Sequence, residues 1–162
     1  MAEAYGRLGK LAESAHIPAQ SGSDRVLKLM HRGYTRERFL GIIEKLRRVK
    51  PGMGVSTDFI VGFPGETEED FEQTLSLVSE AGFDQAFVFK YSQRRDTPAA
   101  DMPGQVGQGV KEERNRRLLD AVNESGARQH QKFVGRRAQV LVEGPRLLVV
   151  DNGSGDDSAA RL

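Results

Sequence analysis

The sequence predicts an α/β protein built on parallel strands, and three observations carry that prediction. Apolar, strand-like runs alternate with capped, amphipathic helical runs, in the order strand, helix, strand, helix, strand, helix. The runs at 55–61 (VSTDFIV) and 86–91 (AFVFKY) are dense in β-branched and aromatic residues without clean alternation, as in strands covered on both faces. Each run ends in a polar turn: Gln20-Ser21-Gly22, Gly62-Phe63-Pro64-Gly65-Glu66 and Tyr91-Ser92-Gln93-Arg94. Parallel strands joined by right-handed crossovers bring all three turns to the carboxyl side of the sheet, where α/β proteins hold their ligands.

Residues 1–14 read as the end of a helix with Leu8 and Leu11 on one side. His16-Ile17-Pro18-Ala19 reads as a short strand running into the turn at Gln20. A helix follows from Asp24 with Val26, Leu27 and Met30 inward, and Gly33 is placed to stop it. Thr35 caps the next helix, whose Phe39, Ile42, Ile43 and Leu46 recur at i, i+3, i+4, i+7. Arg47, Arg48 and Lys50 complement its carboxyl end before Pro51-Gly52. After the strand at 55–61, Thr67 caps a helix opened by Glu68, Glu69 and Asp70, with Phe71, Leu75 and Val78 inward and Gly82 at its end. A loop over 101–110 precedes a charged helix from Lys111 to about Phe133, with Leu118, Leu119 and Val122 inward and Gly126 as a weak point. Two strands at 137–143 and 147–150, joined by Gly144-Pro145, predict a hairpin, and the polar segment 151–162 predicts disorder.

Composition bounds the function. At 162 residues the chain holds one ordinary domain. Twenty-four Lys and Arg against 23 Asp and Glu give a net charge of +1, which excludes a chain that seeks polyanions by bulk charge. No apolar run approaches the ~20 residues that span a bilayer, so no membrane partner and a cytoplasmic location are expected. Zero cysteines exclude disulfides and thiolate metal ligation by this chain. His16, His31 and His130 lack metal-ligand spacing, so no metal residues are assigned. The absence of a GK[ST] loop and of a Ser-His-Asp signature argues against an ordinary α/β enzyme of another class.

Three blocks stand in order: HIPAQSGSDRVLKLMHRGYTRERF, STDFIVGFPGETEEDFEQT and FDQAFVFKYSQRRDTPAA. Over about residues 10–145 they resemble the tRNA methylthiotransferases of the radical S-adenosylmethionine superfamily. The third block is most similar to the branch that makes 2-methylthio-N6-isopentenyladenosine. Relatives acting on threonylcarbamoyl-adenosine or on a ribosomal protein share GFPGET but usually differ in the third block. HIPAQ in place of HLPVQ, Asp96 in place of glycine, and Gly107-Gln108-Gly109 in place of a proline-containing helix start are departures from the family pattern.

The resemblance implies the C-terminal part of a (β/α) barrel over 1–132. It implies the start of a small β-rich RNA-binding module, TRAM, over 133–150 (opening FVGRRAQVLVEGP), with 151–162 as a tail. It implies S-adenosylmethionine and [4Fe–4S] clusters as cofactors and tRNA as partner. The cluster cysteines, including a Cys-x-x-x-Cys-x-x-Cys loop, belong to an N-terminal half that would lie upstream of Met1, so this chain alone is expected to be inactive, with no catalytic residue of its own. The competing reading is a remnant or standalone module that binds a nucleotide or RNA without catalysis.

Candidate site residues follow from the resemblance, each beside a plainer reading. Gln20 and Ser21 are implied at the ribose and methionine parts of the cofactor; Ser21 serves equally well as a helix-capping turn residue. Asp58, Ile60 and Gly62 are implied at the adenine. Asp58 in a buried strand requires a partner, Ile60 also reads as core, and Gly62 and Gly65 as turn glycines. Glu66 reads as a first-turn helix charge rather than a pocket residue. Tyr91 and Arg94 are implied contacts of cofactor or RNA. Lys132, Arg136 and Arg137 form a basic cluster suited to tRNA phosphates, or a solvated face.

Overall fold

The computed structural model describes residues 2–135. The elements are α1 (Ala2–Arg7), β1 (Ser14–His16), α2 (Asp24–Leu29), α3 (Arg36–Val49), β2 (Gly54–Val61), α4 (Glu68–Ala81), β3 (Gln85–Lys90) and α5 (Gln108–His130), with 3-10 turns at Pro98–Ala100 and Gln131–Phe133. The strands form one parallel sheet in the order β1–β2–β3. Sequential, parallel pairing with a single crossover hand stacks the helices on one face. The hairpin expected at 137–150, the tail at 151–162, and Arg136 and Arg137 lie outside the described residues.

Helix ends are set by local hydrogen bonds. Ser23 and Thr35 accept from the N–H groups of Val26 and Arg38 at the starts of α2 and α3. Thr67 and Asp70 exchange bonds in a capping box at the start of α4. Gly82, at φ 59, ends α4. The stop expected at Gly33 falls earlier, at His31 (φ 54). There the N–H groups of His31 and Arg32 return to the carbonyls of Lys28 and Leu27, a Schellman end on a non-glycine residue. Met30 is accordingly a half-buried cap rather than a core residue.

The core lies between the sheet and the helices. Val55, Thr57, Phe59 and Val61 of β2 are buried against Phe39, Ile43 and Leu46 of α3, Phe71, Leu77, Val78 and Ala81 of α4, and Leu118 and Val122 of α5. Phe83 centres it, 5.8 Å edge-on to Phe59 and 6.2 Å from Phe39. Each Val, Leu, Ile or Phe among them contributes about 1.5–3 kcal/mol on leaving water.

The strands are not covered on both faces. Burial alternates strictly along β2, and the opposite face carries Ser56, Asp58 and Ile60, half-buried, beside Phe87 (51% exposed) and Phe89 (53% exposed) of β3. Apolar residues on both faces mimic a double covering in the sequence, but the described residues supply helices to only one.

Other expectations are corrected by packing. α1 stops at Arg7, Leu8 is exposed, and Tyr5 makes that region's contact with the core. Leu119 faces outward. Gly126 is not a weak point but a point of close approach: a Cβ there would lie 2.7 Å from the Asp84 carbonyl oxygen.

Strand β1 is shorter than expected and is followed by a bulge. His16 pairs with Ser56, yet Gln20 pairs with Phe59, so four steps on one strand match three on the other. Pro18, which has no N–H to give the ladder, sits in the gap. The buried Thr57 hydroxyl bridges it, donating to the Ile17 carbonyl (2.8 Å) and accepting from the Ala19 N–H (2.9 Å).

Candidate functional site

A cleft of about 650 Å³ opens at the carboxyl ends of the strands, lined by Gln20, Asp58, Ile60, Phe63, Phe89 and Tyr91, with Arg94, Thr97 and Ala99 at the exit of β3. A larger hollow, about 1100 Å³, runs along the outer side of α3 toward the end of α4, away from the strand ends. The smaller cleft is the candidate because polar groups from all three strand ends converge on apolar walls.

Each wall has a local cause. The bulge turns Gln20 into left-handed geometry (φ 63), where its N–H donates to the Asp58 carbonyl (2.8 Å) and its carbonyl accepts from Ile60 (2.9 Å). A non-glycine residue held in that region is strained, and such strain collects at ligand sites. Asp58 stands on the open face of β2, where His16 Nε2 lies 3.2 Å from its Oδ2. Tyr91 continues β3, its N–H donating to the Val61 carbonyl (2.9 Å). Its ring is fixed edge-on to Phe63 (5.3 Å) and under Lys111 Nζ (5.1 Å from the centroid). The Tyr91 hydroxyl is buried without a hydrogen-bond partner among the described residues. A buried hydroxyl left unpaired costs about 1–3 kcal/mol.

Beneath the cleft, the turn at 62–66 is locked from below. The Gly62 N–H donates to Glu66 Oε2 (2.7 Å), and Arg114 Nη1 donates to the same oxygen (2.8 Å), with both side chains almost fully buried. Burial pushes the Glu66 carboxyl above its ordinary range, against the opposing pull of the Gly62 N–H and Arg114. Gly62 has φ 71, and a Cβ there would meet Lys111 Cγ at 2.4 Å. Farther back, Asp70 accepts from Ser23, Arg25 and Thr67. Burial acts to raise its pKa, but those donors outweigh it and hold the carboxyl well below the usual range.

The structure therefore brings Gln20, Asp58, Ile60, Tyr91 and Arg94 together on one cleft. Ser21 is not on it: its hydroxyl is buried beside Thr74 (3.4 Å) and accepts from the Ser23 N–H, which places it under α4. Gly62 lies behind the wall, where it admits the Lys111 stem. Lys132 lies at the opposite end of β3, 3.9 Å from Asp84 and over the Phe133 ring. Glu66 is a buried lock on the turn, not a solvated helix charge.

Phe63, Phe89, His16, Lys111 and Arg114 were not singled out by the sequence. The period-2 alternation of Ser56, Asp58 and Ile60 is the signal that marks the open face. Nothing in the letters marks Lys111 and Arg114 as buried, since they sit in a helix dense in charge.

The cleft combines apolar surface with a few hydrogen-bonding groups. Ile60, Phe63, Phe89 and Tyr91 offer apolar surface, Gln20 offers donor and acceptor, and Asp58 accepts. Among the described residues no group of three or more His, Cys, Asp or Glu is placed to hold a metal ion, and no helix is long and apolar enough to cross a membrane.

Residues 1–78 match the family model described as Radical SAM superfamily. The chain is 52% identical over 156 residues to the tRNA-2-methylthio-N(6)-dimethylallyladenosine synthase of Moorella thermoacetica, covering 96% of this chain and 35% of that protein. It is 51% identical over 145 residues to the protein of the same name from Bordetella avium (90% and 30%) and 52% identical over 135 residues to that of Methylacidiphilum infernorum (83% and 29%). The chain thus spans about a third of the length of the curated relatives it matches. Over residues 1–78 the chain is thus similar to the radical SAM superfamily, with an α/β architecture to suit.

Proposed function

We propose that this chain is part of a tRNA methylthiotransferase that places a methylthio group on C2 of N6-isopentenyladenosine in tRNA, in the cytoplasm. The observation that carries the reading is the 52% identity over nearly the whole chain to a relative named for that product, across residues that build a polar-lipped, apolar cleft. The names of the relatives favour this branch over threonylcarbamoyl-adenosine or ribosomal-protein substrates.

In this reading residues 1–132 are the C-terminal part of a partial (β/α) barrel, and residues 133–150 begin the RNA-binding module. The sequential sheet order and the helices on one face support a barrel segment. S-adenosylmethionine, bound with a [4Fe–4S] cluster held by cysteines that this chain lacks, supplies the radical chemistry. Gln20 and Asp58 hydrogen-bond the cofactor, Ile60 and Phe89 flank its base, and the Tyr91 ring completes the wall beside it. The exposed guanidinium of Arg94 at the cleft mouth faces incoming RNA phosphate, and Lys132, Arg136 and Arg137 belong to the RNA grip. Ser21 and Gly62 support the site from behind: Ser21 holds the first turn to α4, and Gly62 lets the Lys111 stem lie against the second.

The test is nucleoside mass spectrometry of tRNA from a strain lacking the full-length gene. Loss of 2-methylthio-N6-isopentenyladenosine with accumulation of N6-isopentenyladenosine, restored by the full-length gene, supports the reading. Unchanged modification overturns it.

A further inference from the structure

The open sheet face holds a side-chain chain that the cleft does not explain. His16 on β1 stands between two residues of β2: its Nδ1 is 3.0 Å from Ser56 Oγ and its Nε2 is 3.2 Å from Asp58 Oδ2. One assignment of hydrogens satisfies both contacts with a neutral ring. The Ser56 hydroxyl donates to Nδ1, and Nε2–H donates to Asp58. The imidazole is further fixed edge-on to Phe87, 6.4 Å between centroids. His16 does not line the cleft, whereas Asp58 does. One carboxylate oxygen is thus tied to His16, and the other is left to serve a ligand.

We propose that His16 is a positioning residue that aims the Asp58 carboxylate at hydrogen-bond donors of the ligand, the vicinal hydroxyls of a ribose. The chemistry follows from the groups. An ionised carboxylate only accepts, so its ligand partner must donate. A ribose diol presents two hydroxyls at a spacing a carboxylate spans, and acidic side chains take that role in other nucleotide sites. A free aspartate on an open strand face samples several rotamers, whereas one tethered by a ring that is itself held by Ser56 and Phe87 is pre-oriented, which lowers the cost of binding. The inference rests on the reading of the cleft as an adenosyl site.

The experiment is isothermal titration of the full-length protein with S-adenosylhomocysteine, comparing wild type, H16A, H16Q, D58N and the double variant H16A/D58N. Wild-type binding is required by the adenosyl reading itself; its absence overturns that reading and this one together. Given wild-type binding, H16A is expected to weaken affinity about tenfold. H16Q, whose amide can donate to Asp58, is expected to stay within about threefold, a rescue that lost packing alone would not give. In the D58N background, H16A is expected to add little. An H16A affinity within twofold of wild type overturns the His16 role and leaves the adenosyl reading standing. So does a full tenfold loss that persists on top of D58N, because His16 would then act without Asp58. If H16A does not fold, H16Q against S56A decides: retained affinity in H16Q with a loss of at least threefold in S56A supports the tether, and equal affinities overturn it.

Discussion

Removing Arg114 should be among the most damaging single changes in the chain, and the damage should be partly reversible by a second change. Arg114 is 6% exposed at its side chain and Glu66 1%. Arg114→Ala deletes the 2.8 Å contact to Glu66 Oε2 and the 3.2 Å contact to the Glu66 carbonyl, leaving a buried carboxylate with the Gly62 N–H. Breaking a buried pair from one side costs about 3–5 kcal/mol. The double variant Arg114→Met/Glu66→Gln removes both charges while an amide oxygen still accepts from Gly62. It forfeits one hydrogen bond to the Glu66 carbonyl, about 1 kcal/mol, and the contact to half-exposed Glu68, at most about 1 kcal/mol. The double variant should therefore lose only about 1–2 kcal/mol, less than the single. Urea unfolding followed by far-UV circular dichroism measures this. With a slope near 2 kcal/mol/M, the single variant moves the midpoint by roughly 2 M and the double by under 1 M. If the single variant is unfolded without denaturant, the double must still show a cooperative transition. A single-variant cost below about 1 kcal/mol, or a double variant no more stable than the single, refutes the reasoning.

Other outcomes are equally open to measurement. Gly126→Ala, which in an open helix would stabilise by about 1 kcal/mol, should instead destabilise by about 1–3 kcal/mol because its Cβ meets the Asp84 carbonyl. Gly109→Ala in the same helix, with no heavy atom within 4 Å, is the control in a thermal melt. Asp70 has a folded pKa held below its unfolded value near 4, so its stabilisation is present above about pH 4 and lost as pH falls. Asp70→Asn should accordingly lower stability at pH 7 and flatten the acid limb of stability against pH, read from denaturant midpoints between pH 7 and 2. The isolated chain, with Phe87 and Phe89 half-exposed on an uncovered sheet face, should be marginally stable and prone to aggregate. Phe87→Ser/Phe89→Ser should reduce its light scattering and its binding of a hydrophobic dye, and a cooperative melt of a soluble wild-type monomer would count against this.

Much of the architecture was legible because local chemistry decided it. Thr35, Thr67 and Gly82 sit where their capping roles require, and the three strand-end turns meet as parallel strands demand. The stop at His31 is illegible because left-handed geometry favours glycine, whereas here a Schellman hydrogen-bond pair holds a histidine in it. The open face is hard to read because Ile60, Phe87 and Phe89 are as apolar as core residues, and composition alone does not separate the covered face of a strand from the uncovered one. Of the site, Gln20, Asp58, Ile60, Tyr91 and Arg94 came from matching blocks, whereas Ser21 was displaced by the phase of the chain after the bulge. The buried pair of Glu66 and Arg114 joins residues 48 positions apart, and no local pattern announces a contact at that range.

The extra residue between His16 and Gln20 makes the length of this segment matter more than its letters. Deleting one residue from 17–19 while keeping Gln20 beside Phe59 would restore simple alternation and turn the Gln20 amide toward the helices. Keeping the amide on the cleft would instead force Gln20 to pair with Ile60 and pull Ser21 out from beneath Thr74. The segment behaves as a spacer of fixed count, tolerant of exchange at Ile17 and Ala19 for residues of similar size but not of a change in number. Grafting this site onto another parallel sheet would therefore require carrying over the mismatch of four steps against three along with the side chains.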